Sequence, residues 1–360
     1  MADWVPDRIH ARDVEVLAPN FKRRLSGVTS TIVQLIPRQR QLGVKIAAIG
    51  SGLPEGLPRL RWTQLPGAWK APAGGRLRVW HARRNNEMLV GIVLRDVLRM
   101  PLKLIFTSAA QRNHKPFTRW LIARMDHVVS TSARSGAFLE VPHTTILHGI
   151  DTQAFHPPSS REDEIAATGL PGRYLVGCFG RIRHQKGTDL FVRAMIKLLP
   201  DYPDWTAVIA GRVTSEHRAF ADTLKAEVTA SGLSDRIVFL GEVPDVKVWY
   251  RRITLYVTPS RNEGFGLTPF EAMASLSAVV ASDAGAYPEI IVPGETGDIV
   301  PAGDGDALTR AIKPYFADPD KAIDCGRKGL IHVRENFDLV REASALKTVY
   351  DRLLGHSPAT

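Results

Sequence analysis

Short apolar segments alternate along the chain with polar or helix-like stretches. Eleven segments rich in apolar and β-branched residues predict buried strands, at 14–18, 44–49, 78–81, 102–107, 127–131, 174–180, 206–210, 237–240, 253–258, 278–282 and 298–300. Apolar residues at helical spacing after residue 26 predict a helix that bends near Pro37. Strands that alternate with helices form parallel, doubly wound sheets, so the pattern predicts an α/β protein.

The alternation occurs in two series, which predicts two Rossmann-like doubly wound domains facing a cleft. The stretch 155–171 separates them, and its consecutive prolines and serines and its acidic run are typical of a linker. We predict an N-terminal domain over 1–154, a C-terminal domain over 172–335, and a C-terminal helix over 336–360 that is a candidate to pack back toward the first domain. A chain of 360 residues, 44% hydrophobic and 23% charged, is long enough for two such cores.

The first candidate site follows the strand predicted at 253–258. Glu263 and Glu271 lie eight positions apart, across a loop that contains Gly264 and Gly266 and leads into a helix start. Open α/β sheets bind ligands at this end of their strands, glycine lets the backbone approach a ligand, and N–H groups at a helix start favour phosphate. Each carboxylate can accept hydrogen bonds from a vicinal diol, so the loop suits a nucleotide sugar.

A second candidate loop opens the second domain. Gly180 ends a strand, and Arg181 and Lys186 follow it, five positions apart, before a helix start. Two cations in such a loop suit a diphosphate, because arginine binds it as a fork and lysine as a point charge. The alternative for this loop is a solvated basic turn. The alternative for Glu271 is a capping box opened by Thr268.

Charge is unevenly distributed along the chain. The whole chain carries a net charge of +10, but residues 1–150 hold 23 lysines and arginines against 9 acidic residues, a net of +14. Such an excess in one half indicates an anionic partner, which could be nucleic acid, an acidic glycolipid or an anionic bilayer. Candidate contacts are the run 22–24 and Arg112, Lys115 and Arg119. Tryptophans in this half suit an interfacial surface or simple partial burial.

Other classes of protein find little support. Cys178 and Cys325 provide neither a disulfide framework nor metal-ligand spacing. Residues 1–8 contain no apolar core of a signal peptide, and no stretch approaches the ~18 apolar residues that a membrane span needs. The basic residues are scattered and match no nucleic-acid-binding motif, so we predict no nucleic-acid partner. A cytosolic or peripheral membrane location is expected.

Together these motifs resemble those of the GT-B glycosyltransferases of family 4, and the resemblance covers most of the chain. It rests on the two-glutamate loop, on the basic loop, and on the segments 283–297 and 148–151. The segments 80–87 and 107–112 look like those of mannosyltransferases of bacterial lipopolysaccharide inner-core assembly. The resemblance implies a retaining hexosyltransferase that uses GDP-mannose. The alternatives are a glucosyl- or galactosyltransferase acting on another glycolipid or polysaccharide, and a nucleotide-sugar epimerase or phosphorylase.

The resemblance also implies roles for single residues in donor binding. Arg181 and Lys186 would hold the diphosphate, and Glu271 would bind the ribose hydroxyls. Glu263 would contact sugar hydroxyls near the anomeric carbon. Further donor contacts would come from Gly27, Gly180, Gly264, Phe265, Gly266 and Leu267.

For the acceptor side the implications are less direct. Many family members carry a histidine after the fifth strand, where this chain has Ala109. His81 then remains as a catalytic candidate beside Arg181, Lys186 and Glu263, although it is alternatively a structural strand-end histidine. The candidate acceptor contacts are Arg83, Arg84 and Arg112.

The expected chemistry needs no cofactor and no metal. The basic pair would neutralise the departing nucleoside diphosphate, and the leaving phosphate would take the acceptor's proton on the same face. Two domains closing on the reactants would exclude water. The expected partners are a nucleotide-sugar donor, an anionic glycolipid acceptor and an anionic membrane surface at the inner face of the cytoplasmic membrane.

Overall fold

A computed structural model describes residues 9–22, 27–73 and 75–356 of the chain. It divides the protein into two compact units. The first unit comprises the described residues within Met1–Gly149 and Leu339–Thr360, and the second is Ile150–Asp338. The second unit is therefore inserted, as one continuous stretch, between two segments of the first.

The first unit is built on a parallel sheet. Its strands are β1 (Val16–Asn20), β2 (Ile46–Gly50), β3 (Arg59–Leu60), β4 (Arg78–Ala82), β5 (Leu102–Ser108), β6 (His127–Ser130) and β7 (Thr144–Thr145). Within the described residues these seven strands lie in the order β3-β2-β1-β4-β5-β6-β7, and every neighbouring pair is parallel. All five residues of β1 and of β4 are buried, as expected for a parallel sheet covered on both faces.

Helices cover the two faces of this sheet. They are α1 (Gly27–Gln41), α2 (Asn85–Ile92), α3 (Pro116–Ile122) and α4 (Ala133–Gly136). A π-helical turn, Val93–Val97, continues α2, and short 3-10 segments occupy Ala11–Asp13 and Trp62–Trp69. Pro37 lies inside α1, where the sequence predicted a bend.

The second unit repeats the architecture. Its strands are β8 (Tyr174–Phe179), β9 (Trp205–Ala210), β10 (Ile237–Gly241), β11 (Leu255–Thr258), β12 (Ala278–Ser282) and β13 (Gly297–Val300). Its helices are α5 (Thr188–Leu198), α6 (Arg218–Ala230), α7 (Val246–Arg252), α8 (Thr268–Ala274), α9 (Tyr287–Ile290), α10 (Gly305–Ala317) and α11 (Pro319–Asn336). The parallel strands lie in the order β10-β9-β8-β11-β12-β13. The strand order reverses between β8 and β11, which makes the carboxyl ends of these two strands a ligand-binding position.

The domain boundaries differ from those predicted. The segment 155–171 belongs to the second unit and forms two short helical turns, Arg161–Asp163 and Ile165–Thr168. The buried Asp163 accepts a hydrogen bond from Nε of Arg251 in α7 at 2.6 Å. Burial acts to raise the pKa of Asp163, but Arg251 and nearby backbone N–H groups outweigh it and lower the pKa to about 2. This ion pair joins positions 88 residues apart, so the linker-like composition gave no sign of it.

The last helix, α12 (Leu339–Leu354), belongs to the first unit. It packs against α1 and β4, and its residues Leu346, Val349 and Tyr350 are buried in the same apolar core as Ile32 and Leu35. None of the helices in the described ranges combines the length and apolar character needed to cross a bilayer.

Candidate functional site

The two loops singled out in the sequence meet at the carboxyl ends of β8 and β11. Lys186 forms an ion pair with Glu263. Arg261 donates to the two carboxylate oxygens of Asp189, at 2.7 Å each, and to the carbonyl oxygen of His184 at 2.7 Å. Such a bidentate arginine–carboxylate pair fixes geometry as well as charge. These contacts therefore hold the basic loop after β8 against the two-glutamate loop after β11.

Lys186 remains charged at this position. Burial acts to lower its pKa, but the neighbouring Tyr287 and Glu263 outweigh burial, and the pKa of Lys186 is raised. A fixed ammonium at the end of β8 suits an anionic ligand.

A pocket of about 270 Å³ opens beside these loops. Its lining includes Gly180 and Arg181 after β8, Arg212 after β9, and Tyr250 and Glu271 from α7 and α8. Arg181 and Arg212 are exposed, and neither forms an ion pair with another described residue. Two guanidinium groups without an ion-pair partner among the described residues thus line the same pocket as a carboxylate. Such a pocket can bind a ligand that is anionic at one end and carries hydroxyl groups at the other.

Glu271 is not part of a capping box in the described structure. The helix α8 begins at Thr268, its N-cap position is Leu267, and no side chain caps it. Burial is the main influence on the Glu271 carboxyl and raises its pKa, while the Tyr250 hydroxyl acts in the opposite direction. Glu271 is half-buried, and its side chain lines the pocket without capping the helix.

The backbone of the glutamate loop leaves no room for a side chain at Gly266. Its φ is +89°, and a Cβ there would lie 2.3 Å from the ring of Tyr287. Phe265 is buried against Phe270, with ring centroids 5.7 Å apart, and its carbonyl oxygen accepts from the N–H of Ala286 at 3.0 Å. Phe265 therefore fixes the loop through its side chain and its carbonyl oxygen.

In the first unit, two predicted acceptor residues have structural partners. Nη1 of Arg84 donates to Glu87 at 2.6 Å and to Asn20 Oδ1 at 2.9 Å, while the backbone N–H of Arg83 donates to Glu87 Oε2 at 2.8 Å. Glu87 is fully buried. Arg84 thus joins the end of β1 to the start of α2. These hydrogen bonds restrict the freedom of its guanidinium group to contact an acceptor directly.

Two other predicted residues of the first unit stand in open surroundings. Arg112 is exposed and makes no ion pair within the described residues. Gly27 opens α1, and a Cβ there would meet no heavy atom within 4 Å. The neighbouring Ser26 and the basic residues 23–24 lie outside the described residues.

His81 is buried, and both of its ring nitrogens are occupied. Nδ1 lies 2.7 Å from the Tyr350 hydroxyl in α12, and Nε2 lies 2.6 Å from Thr107 Oγ1 in β5. Burial, followed by the charge of Arg83, holds the pKa of His81 well below its ordinary value. These contacts favour the structural alternative, in which His81 ties α12 to the sheet.

This assignment predicts a pH effect on stability. Because the pKa of His81 is depressed on folding, its contribution is present above the ordinary value of 6.5 and is lost as the pH falls below it. We expect the melting temperature to fall more between pH 7.5 and 5.5 for the wild type than for His81→Gln. Thermal melts at both pH values, with His143→Gln as a control for an exposed histidine, measure this. Parallel pH dependences for wild type and His81→Gln would contradict it.

The sequence contains two Asp-x-Asp stretches. Paired carboxylates of this kind can bind a divalent metal ion, and the prediction of a metal-free reaction did not take them into account. They are Asp304-Gly305-Asp306 and Asp318-Pro319-Asp320. Asp304 and Asp318 are N-caps of α10 and α11, accepting from the N–H groups three residues on. In the described part of the chain no group of three or more His, Cys, Asp or Glu residues could hold a metal ion.

Sequence reasoning missed the residues that organise the site. Arg261, Asp189 and Tyr250 were not singled out, because their partners are far away in sequence, and Arg212 was not, because it follows a different strand, β9. Arg261 stands two positions before Glu263, and this proximity was the one available signal.

Two parallel, doubly wound units are the fold of the GT-B glycosyltransferases. A family model for glycosyl transferases group 1 matches residues 160–330. The chain is 72% identical to the lipopolysaccharide core biosynthesis mannosyltransferase LpcC of Rhizobium leguminosarum, over 96% of this chain and 98% of the relative. It is 52% identical to the lipopolysaccharide core biosynthesis mannosyltransferase LpsB of Rhizobium meliloti, over 96% and 99%.

The chain therefore belongs to the group 1 glycosyltransferases, and the predicted resemblance to lipopolysaccharide core mannosyltransferases is confirmed. Among solved structures, HepE from Anabaena, determined with UDP and glucose, superposes with a TM-score of 0.78 at 18% identity, over 94% of this chain and all of that one. This likeness shows the fold, and the predicted pair of Rossmann-like domains is confirmed.

Proposed function

We propose that the protein transfers mannose from GDP-mannose to an acceptor of the lipopolysaccharide inner core, with retention of configuration and without a metal ion. The observation that carries the proposal is the pocket at the ends of β8 and β9, where Arg181 and Arg212 form no ion pair with a described residue and Glu271 lies in the same lining. The choice of sugar and acceptor rests on the named activities of the two rhizobial relatives.

In this proposal the basic residues act on the leaving group. As the glycosidic bond to the diphosphate breaks, negative charge grows on the phosphate oxygens. Arg181 lines the pocket and Lys186 lies in the adjoining loop, and both would neutralise that charge. Glu263 orients Lys186 through their ion pair and contacts the sugar hydroxyls, and Glu271 accepts hydrogen bonds from the ribose hydroxyls.

Retention follows if the acceptor attacks on the face that the diphosphate leaves. The acceptor oxygen forms the new bond to the anomeric carbon while the bond to the phosphate oxygen breaks. The acceptor's proton passes to that phosphate oxygen, so the step requires no enzymatic nucleophile. Backbone N–H groups of the loop 264–267 and the start of α8 would bind the phosphate or sugar.

The first unit would receive the acceptor. Its net charge of +14 over residues 1–150 suits an anionic glycolipid, and Arg83 and Arg112 are the acceptor contacts we propose. Such an acceptor is anchored in the cytoplasmic membrane, so the enzyme would act as a peripheral protein at its inner face.

Direct assay of the purified protein tests the proposal. With an inner-core acceptor, we expect turnover of GDP-mannose that survives EDTA, and a product whose anomeric configuration by NMR equals that of the donor. Turnover of UDP-glucose or UDP-galactose instead would favour the hexosyl alternatives, and isomerisation of donor alone would favour an epimerase. Loss of activity in EDTA that a divalent ion restores would overturn the metal-free mechanism.

A further inference from the structure

Large apolar side chains are exposed on α2, on the π-helical turn that continues it to Leu98, and on α3. We call this set the apolar face, and its members are Leu89, Val93, Val97, Leu98, Phe117 and Trp120. Val97 is 68% exposed and Phe117 54% exposed. Among the described residues of the second unit, Ile331 alone is a large apolar side chain with comparable exposure. A cluster of exposed apolar side chains of this kind marks an interaction site.

The members of the apolar face lie on helical segments that pack side by side. Leu89, Val93 and Val97 recur every four residues along α2 and its π-helical turn, so they form one stripe. The helices α2 and α3 pack together, and Nδ2 of Asn85 donates to Thr118 Oγ1 at 2.7 Å.

The opposite sides of both helices are buried in the core of the first unit. These inner residues are Met88, Ile92, Leu121 and Ile122. The exposed sides of α2 and α3 therefore face solvent from the same layer of helices.

The aromatic side chains of the apolar face have neighbours that are typical of a membrane–water interface. The rings of Phe117 and Trp120 stack with centroids 6.0 Å apart and planes 12° apart. The guanidinium of Arg124 lies 3.8 Å from the centroid of the Trp120 ring. Tryptophan and a flanking cation are enriched where a protein meets lipid headgroups.

The charges around the apolar face are mainly positive. Residues 85–126 hold seven lysines and arginines against three acidic residues. The basic residues without an ion pair to another described residue are Arg99, Arg112, Lys115 and Arg124. A second copy of the chain would present the same positive rim and would be repelled, whereas anionic headgroups complement it.

We propose that the apolar face is a membrane-docking surface that binds anionic lipid headgroups and buries Val97, Phe117 and Trp120 at the boundary of headgroups and acyl chains. The inference rests on the proposed function, because a membrane-anchored acceptor requires the enzyme to work at a bilayer. It locates the attachment of the enzyme to the membrane at the apolar face.

Flotation with vesicles tests the surface. We expect the wild-type protein to bind phosphatidylglycerol-containing vesicles, to bind them less as salt rises, and to bind phosphatidylcholine vesicles weakly. Phe117→Ser/Trp120→Ser should reduce binding about tenfold or more, because two aromatic side chains no longer leave water. Lys115→Glu/Arg124→Glu should also reduce it, by about fivefold or more for each basic residue.

Matched variants control for nonspecific effects. Ile331→Ser removes an exposed apolar side chain of the second unit, and Arg310→Glu/Lys313→Glu makes the same charge change on α10. Both should bind vesicles like the wild type. Equal losses in these controls, or unaltered binding by the apolar-face variants, would overturn the proposal.

Quenching by brominated lipid locates the contact without a disruptive substitution. Brominated lipid should quench the tryptophan fluorescence of Trp120→Phe less than that of Trp62→Phe. We expect this although Trp62 is 47% exposed. Equal quenching in the two variants would refute the assignment. A change of sedimentation coefficient in Phe117→Ser/Trp120→Ser, with vesicle binding intact, would assign the face to a second copy instead.

These measurements separate the two proposals. Vesicle binding by the apolar face without sugar transfer would contradict the proposed function and leave the docking surface standing. Normal transfer to a detergent-dispersed acceptor without vesicle binding would contradict the docking surface alone.

Discussion

Replacement of Arg181 or Lys186 by alanine should lower kcat by about 100-fold or more, because each removes a cation from a leaving group whose charge grows in the transition state. Arg181 gives the cleaner experiment. It is exposed and forms no ion pair with another described residue, so its loss should change stability by no more than about 0.5 kcal/mol.

Single-turnover kinetics at saturating donor measure the effect on the chemical step. Arg218→Ala, which removes an exposed arginine at the start of α6, is the matched control and should be neutral. A kcat within twofold of wild type in Arg181→Ala, with a normal melting temperature, would remove Arg181 from the mechanism.

Glu271→Gln should raise the KM for the donor about tenfold or more, because a hydrogen bond to a charged group contributes ~1.5–3 kcal/mol. Stability should not fall in parallel. The pKa of Glu271 is raised by burial, so ionising this carboxyl in the folded protein carries a cost that glutamine does not carry. We expect the melting temperature at pH 7.5 to stay unchanged or to rise.

Calorimetric titration with the donor and thermal melts test both parts of this prediction. Glu242→Gln is the control, since Glu242 lines the same pocket and is exposed. A capping role for Glu271 predicts the opposite pattern, a stability loss of roughly 1 kcal/mol with normal donor binding. That pattern would show that the carboxylate does not bind the ribose.

Much of the fold could be predicted because parallel strands are buried on both faces. All eleven predicted strands are present, and the segment 278–282 matches β12 at both ends. The two-residue strands β3 and β7 were missed because two residues show no periodicity. The start of β1 was placed two residues early, since Val14 is buried without pairing in the sheet.

The site was predictable in part for a different reason. Glu263, Glu271, Arg181 and Lys186 stand out because charged residues flank glycines at strand ends. The support around them was not predictable, because Arg261 and Asp189 meet across 72 positions of sequence. His81 illustrates the same limit, since its partner Tyr350 lies 269 positions away.

The insertion of the second unit into the first has a consequence for biosynthesis. A ribosome releases the sheet of the first unit early, but α12, which completes its core, emerges only after residue 338. The second unit is continuous and can fold as soon as it has left the exit tunnel, since domains generally fold as units during synthesis. Until α12 arrives, the surface formed by Ile32 and Leu35 lacks its partner, so the part of the enzyme that is translated first is the last to be finished.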